Sequence, residues 1–386
     1  MSDPRAFQGL TSLAPESIQR LMAPFWYGHL AVAAFIVISG FCLQVSLFQG
    51  RDGRLHRPAQ FFARRAKRIL PAYYGCLAIS LVVALTVTSK QTEMPFVQYV
   101  PVTQENVLAH LFLVHNWSPA WMYKINGVLW SIAVEVQLYL LFPLLVWLLF
   151  KVGRMGTLAL TGVLVWGVIA ISPAAIKLYP WYLTLFALGM VGAHFAYRPP
   201  IAPRWLAWCC GLVCLAGLGW VPYARSAGFP LPIRDLGIAA ATSAFCAMGA
   251  LSPWIWPVRM AAFRPLAGLG VFSYSLYLMH HPIQQLVFVS RPAWIQDEGQ
   301  KFAYLWLIGL PIIVAGSWLF SLAFEQPFLR KRGGDAAADN QELPWTLVKL
   351  PLKGFESTKP KLKRDGKSSK SPGVEYAQEQ SSANPS

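Results

Sequence analysis

Val128-Leu-Trp-Ser-Ile-Ala-Val-Glu-Val-Gln-Leu-Tyr-Leu-Leu-Phe-Pro-Leu-Leu-Val-Trp-Leu-Leu-Phe150 carries a single charge, Glu135, in an otherwise apolar run. A helix needs roughly 17–25 such residues to cross a hydrocarbon core of about 30 Å. The run therefore reads as a membrane-spanning helix. The same test picks out 30–48, 69–89, 155–171, 178–197, 205–221, 236–256, 266–289 and 302–324. The chain is expected to be all-α, a polytopic bundle of about nine transmembrane helices. Residues 106–116 are apolar in part but too short to span, and are expected to lie in the interface or re-enter the membrane.

Composition agrees. Of 386 residues, 55% are hydrophobic and 13% charged, against about 25% charged in a soluble domain. Lipid penalises ions and solvates apolar side chains. A net charge of +16 invites a nucleic-acid reading, but the location of the cations decides against it. Arg51, Arg54, Arg57, Arg64, Arg65, Lys67 and Arg68 crowd between the first two spans, which makes that loop cytoplasmic. Alternation then puts Lys151, Arg154, Arg198, Arg204, Arg259 and Arg264 inside as well. The scheme ends with an outside N-terminus and a cytoplasmic C-terminus, in the inner or cytoplasmic membrane. No cleavable signal peptide is visible. One more span before Leu30 would put both ends inside.

Three regions follow. Residues 1–29 are an extracytoplasmic or truncated head, 30–328 the membrane domain, and 329–386 a basic cytoplasmic tail. From Arg332 the tail reads as disordered, with Lys359–Lys370 either solvated or against anionic lipid. The six cysteines lie in apolar stretches and read as small packing residues, with no metal site and no disulfide framework.

Four constellations carry chemistry. In Phe62-Ala-Arg-Arg-Ala-Lys-Arg-Ile-Leu-Pro-Ala-Tyr73, Arg65 and Arg68 stand three apart and share a face if the helix extends back that far. They read either as positive-inside anchors or as a bidentate phosphate site. In the quoted segment Ser131, Glu135 and Tyr139 recur every four residues on one face. An intramembrane carboxylate is a functional candidate, or else an interhelical hydrogen-bond anchor. In Phe272-Ser-Tyr-Ser-Leu-Tyr-Leu-Met-His-His-Pro-Ile283, Ser273, Tyr277, His280 and Gln284 form a polar stripe, with a kink expected at Pro282. At 1.5 Å per residue, Glu135 and His280 both fall roughly 10 Å below the outer surface. In Phe324-Glu-Gln-Pro-Phe328, Glu325 ends the last span and reads as a helix-end ion pair or a partner of the Arg group.

Together with Phe35-Ile-Val-Ile-Ser-Gly-Phe41, these pieces resemble, in order, the membrane-bound acyltransferase-3 family. The Arg65–Arg68 pair matches its R-x-x-R element, Trp130-Ser131 to Glu135 its W-S-x-x-x-E stretch, Ser273 to His280 its S-Y-S-L-Y-L-x-H element, and Glu325 to Phe328 its E-x-P-F end. The resemblance implies a ten-helix enzyme that moves an acyl group, commonly acetyl, from cytoplasmic acyl-CoA to a hydroxyl of an extracytoplasmic polysaccharide, lipopolysaccharide or glycolipid. It implies acyl-CoA as co-substrate, no tightly bound cofactor, Arg65 and Arg68 on the donor, and Glu135 and His280 in catalysis, supported by Trp130, Ser131, Tyr139, Ser273, Tyr277 and Glu325.

The sequence departs from that family where a first helix would carry a basic residue and a catalytic His. No such helix precedes Leu30, and the acidic residue expected before Ile-Ser-Gly-Phe is replaced at Ala33 or Ala34. Ester formation needs a base for the acceptor proton, and His29 at the outer end of the first span is a candidate. Two rival readings remain at this point. One is a transporter or flippase of a lipid-linked saccharide, with Glu135 and His280 as a proton relay. The other is a catalytically inactive acyltransferase-like scaffold.

Overall fold

The computed structural model describes residues 28–50, 52–90, 96–197, 204–251 and 264–329. The N-terminal head, the loop holding Arg259 and the tail from residue 330 lie outside the described residues. All of the described residues belong to one compact unit, Met1–Val348. Among them there is no strand.

The described residues form twelve α-helices. In chain order they are α1 Gly28–Gly50, α2 Pro58–Thr86, α3 Gln104–Leu111, α4 Leu129–Lys151, α5 Gly153–Ile171 and α6 Tyr182–Tyr197, followed by α7 Arg204–Ser226, α8 Leu231–Leu251, α9 Arg264–Val271, α10 Ser273–Val289, α11 Glu298–Tyr304 and α12 Leu310–Phe324. A π-helical turn, Leu305–Gly309, joins α11 to α12. Among the described residues six stretches are long and apolar enough to cross a membrane: Gly28–Phe48, Pro58–Lys90, Leu129–Lys151, Gly153–Ile171, Trp205–Ser226 and Gly299–Phe328. The chain is an all-α, multi-pass membrane protein.

Among the differences between the nine expected spans and the structure, which include the start of α2 at Pro58 rather than 69 and the π-helical turn within 302–324, three bear on the site. The span expected over 178–197 starts as a helix only at Tyr182, because Tyr179 takes a left-handed conformation with φ 58° just before Pro180. The span expected over 236–256 is α8, which starts earlier, at Leu231, and so carries Arg234 and Asp235 within its first turns. The span expected over 266–289 is broken at Phe272 into α9 and α10. At that break the carboxylate of Glu325 accepts from the Ser275 amide at 3.1 Å and from the Ser275 hydroxyl. It satisfies an amide that the first turn of a helix leaves without a partner.

Helices in lipid associate through close packing rather than through a solvent-driven force, so small residues decide where backbones meet. Between α1 and α6 a Cβ built on Gly189 would stand 2.0 Å from the Val37 carbonyl oxygen, and one on Gly40 2.2 Å from that of Phe186. No larger residue fits at either place. Gly192 likewise admits the Ser243 hydroxyl of α8, which donates to the Leu188 carbonyl at 3.1 Å. The α1–α6–α8 group is therefore held backbone to backbone.

α10 meets α2 through a different device. Pro282 has no N–H, so the Leu278 carbonyl four residues before it lacks its helical donor. The Cys76 thiol of α2 fills the vacancy at 3.2 Å. Asn126 adds donations to Ser80 at 2.9 Å and to Cys76 at 3.5 Å.

Candidate active site

α2 begins at Pro58, a residue pre-set for the first helical turn. Arg65 and Arg68 are thus both on helix, one turn apart. The Arg65 guanidinium lies over the Tyr139 ring at 6.0 Å and over Phe61 at 5.8 Å. Its Nε is buried with no hydrogen-bond partner among the described residues. Both arginines are within electrostatic range of Glu135.

Glu135 is buried at 4% exposure. Tyr139, one turn on, donates to its Oε1. Ser39 of α1 donates to the same oxygen at 3.3 Å and lies 2.9 Å from the Tyr139 hydroxyl. A carboxylate is costly to bury without donors, and these two hydroxyls with two nearby cations supply what the bilayer interior lacks. Glu135 is a polar centre shared by α1, α2 and α4.

Ser131, a turn before Glu135, faces α10 instead. Its hydroxyl is 2.6 Å from that of Tyr277, and both reach the Val128 carbonyl, at 3.0 and 3.3 Å. Phe35 of α1 stacks on Tyr277 with ring centroids 6.4 Å apart and planes within 8°. His280 Nδ1 is 2.6 Å from the Tyr277 carbonyl of its own helix. The stripe expected on α10 therefore splits. Tyr277 and His280 face inward. Ser273 and Gln284 are exposed, and Ser273 binds only the Gly270 carbonyl. Glu325 is anchored on Ser275, a residue the motif contains but the stripe passes over.

Beside Ser131, the Trp130 ring stacks on Tyr179 at 4.6 Å, and Tyr179 shares a 3.1 Å hydroxyl contact with Tyr123. Tyr182 and Trp181 complete this aromatic group. Here stands His29, the first-turn residue of α1, with Nε2 3.4 Å from Asp235 Oδ1 of α8. Trp181 Nε1 donates to Asp235 Oδ2 at 3.0 Å. Sequence reading missed Ser39, Asp235 and Trp181. Asp235 is one residue outside the expected start of its span, and Ser39 lies inside the Ile-Ser-Gly-Phe stretch without a charge to mark it.

Among the described residues no group of three His, Cys, Asp or Glu is gathered in metal-binding proximity.

Comparison with known proteins fits this arrangement of motifs. The family described as Acyltransferase domain matches residues 6–322. O-acetyltransferase OatA of Staphylococcus aureus (strain NCTC 8325 / PS 47) is 25% identical over 361 residues, covering 81% of this chain and 54% of that protein. Exopolysaccharide production protein ExoZ of Rhizobium meliloti (strain 1021) is 29% identical over 269 residues, covering 66% of this chain and 76% of that protein. The chain spans about half the length of the Staphylococcus relatives it matches. No solved structure matches.

Proposed function

This chain belongs to the membrane-bound acyltransferase-3 family, and we propose on that premise that it is an O-acyltransferase. It takes an acyl group, acetyl in the simplest case, from cytoplasmic acyl-CoA. It delivers that group to a hydroxyl of an extracytoplasmic envelope polysaccharide, lipopolysaccharide or glycolipid. The names of the two relatives, an O-acetyltransferase and an exopolysaccharide production protein, support the acyl group and the class of acceptor.

The observation that carries the reading is the buried Ser39–Tyr139–Glu135 centre, with Arg65 and Arg68 beside it on α2. Guanidinium forks one turn apart suit the phosphates of coenzyme A. The Arg65 Nε, buried without a partner, is a donor waiting for such an acceptor. A thioester is already activated, so the protein's work is positioning, proton transfer and stabilisation of the oxyanion that forms at the acyl carbonyl. The Ser131 and Tyr277 hydroxyls, which meet between α4 and α10 and reach only the neutral Val128 carbonyl, are the donors that can turn to that last task, while the Ser39 and Tyr139 protons are committed to Glu135. The Ser131–Tyr277 contact ties α4 to α10, where His280 sits. Glu325, fixed by Ser275, supports the start of α10 rather than meeting substrate.

Membrane vesicles holding the chain should transfer label from [14C]acetyl-CoA to an envelope glycan. Arg68→Ala and Glu135→Ala should abolish transfer at normal expression. Full activity in both variants would refute the site.

A further inference from the structure

We infer that residues 100–125 form a re-entrant hairpin that aims the transferase site, with Gln137 as the positioning residue through which it acts on α4. This rests on the acyltransferase reading above.

The two ends of the hairpin meet. The Ile125 amide donates to the Tyr99 carbonyl at 3.1 Å, and Lys124 Nζ to the Val100 carbonyl at 2.6 Å. Just beyond, Asn126 donates to the Ser80 hydroxyl of α2 at 2.9 Å. The tip lies deeper. There Tyr73 and Tyr74 of α2 donate to the His110 and Leu111 carbonyls, each at 2.8 Å. These are carbonyls that the last turn of α3 leaves without helical donors. At 1.5 Å per residue, Tyr73 is about 10 Å along α2 from Ser80. On α4, Gln137 meets the same tip about 12 Å from the helix start at Leu129. Two helices thus give one depth, roughly 20 Å from their opposite ends at Pro58 and Lys151. Residues 106–116 dip into the membrane domain rather than lie across its rim.

The tip is held by a closed amide pair. Asn116 Nδ2 donates to Gln137 Oε1 at 3.0 Å, and Gln137 Nε2 donates to Asn116 Oδ1 at 2.8 Å. Gln137 Nε2 also donates to the Leu113 carbonyl at 3.0 Å. Both N–H donors of Gln137 are thereby used. Satisfied polar contacts of this kind, away from water, fix distance and rotation where apolar packing leaves both adjustable. Strain marks tip and base alike. Leu113 and Ile125 are left-handed, with φ 54° and 66°. Bulky and β-branched residues take that conformation only where the surroundings impose it.

Gln137 follows Glu135 by two residues, which is about 200° around a helix of 3.6 residues per turn. Glu135 and Tyr139 therefore face Ser39 and Arg65, while Gln137 faces the hairpin. α4 is gripped from both sides. The hairpin also holds α2 at Tyr73 and Tyr74, about one and a half turns beyond Arg68. It is a spacer between the helix that carries the arginines and the helix that carries the carboxylate. A displaced tip rolls or slides α4 and so re-aims Glu135 and Tyr139, with neither group altered.

The test is transfer of label from [14C]acetyl-CoA into the polysaccharide fraction of membrane vesicles holding the full chain, with rates taken per folded molecule. Gln137→Asn shortens the amide pair by one methylene, and Asn116→Gln lengthens it. Each should lower kcat about 10- to 100-fold, the scale of an ångström's misplacement. KM for acetyl-CoA should stay the same, because the arginines on α2 are untouched. The double variant exchanges the two amides, restores the span and should recover most of the rate. Tyr74→Phe removes one hydroxyl at an exposed position. It should lower kcat a few-fold, and it decides the matter if Asn116→Gln fails to fold. A full kcat in Gln137→Asn with only a lower thermal midpoint overturns the inference, as do multiplied losses in the double variant. A raised KM at full kcat overturns it too, since that would put the hairpin on donor binding. The acyltransferase reading survives each of these results if Arg68→Ala still abolishes transfer. If the unaltered chain transfers no label, both fall.

Discussion

Ser39 on α1 and Tyr139 on α4 stand 2.9 Å apart, hydroxyl to hydroxyl, and both donate to the same oxygen of Glu135. The two helices are joined through a carboxylate that neither water nor lipid can stabilise at that depth. Glu135→Gln keeps the shape but replaces an acceptor oxygen with a donor. It should abolish acyl transfer while keeping expression. Tyr139→Phe should lower transfer at least about 10-fold, since it removes one of the two hydroxyl donors that hold the buried Glu135 carboxylate, and a hydrogen bond to a charged group is worth about 1.5–3 kcal/mol. Equal rates for Tyr139→Phe and the unaltered chain would remove Tyr139 from the site.

Gly189 faces the Val37 carbonyl so closely that any side chain must push α1 and α6 apart. Gly189→Val should lower stability by about 1–3 kcal/mol or more, the usual range for overpacking. Thermal unfolding in detergent should show a lower midpoint. Gly219→Val, where nothing lies within 4 Å, is the matched control and should leave the midpoint nearly unchanged.

Cys76 repairs the carbonyl that Pro282 orphans. Cys76→Ala should cost about 1–3 kcal/mol, since the Leu278 oxygen loses its donor in a buried place. Cys76→Ser keeps a hydroxyl donor and should be milder. Pro282→Ala in the Cys76→Ala background should recover stability, because a helical N–H returns to Leu278. No recovery would show that the thiol matters for packing alone.

His110 and His115 stack at 3.8 Å, both fully buried, just outside the membrane-spanning helices. Burial pushes His110 down to about 4 and His115 well below the ordinary value of 6.5. Unfolding therefore takes up protons as pH falls below about 6.5. The pair's stability is fully present above that pH. It is lost on acidification by ~1.4 kcal/mol per pH unit for each ring. Thermal midpoints of the purified protein should drop between pH 7 and pH 5. The drop should shrink in His115→Phe. A flat profile in the unaltered chain would contradict the buried neutral pair.

Much of this was legible in the sequence, and the rest was hidden for physical reasons. Long apolar runs announce spanning helices, so the all-α bundle and the Glu135–Tyr139 pair one turn apart could be read directly, whereas Ser131, expected on the same face, turns to Tyr277 of α10. Helix breaks were harder. The interruption at Phe272 depends on Glu325, some fifty positions away, capping a new helix start. Pairings across helices were harder still. Neither Ser39 nor Asp235 announces its partner, and the His29–Asp235 contact joins residues more than two hundred positions apart.

The backbone contacts at Gly40 and Gly189 also bear on how the machine moves. Helices seated carbonyl against Cα cannot slide or tilt against each other without losing every contact in that seam. The proline-bearing helices α2 and α10 are joined differently, by the Cys76 thiol on the Leu278 carbonyl, so a shift between them costs one side-chain hydrogen bond where a shift between α1 and α6 costs a whole backbone seam.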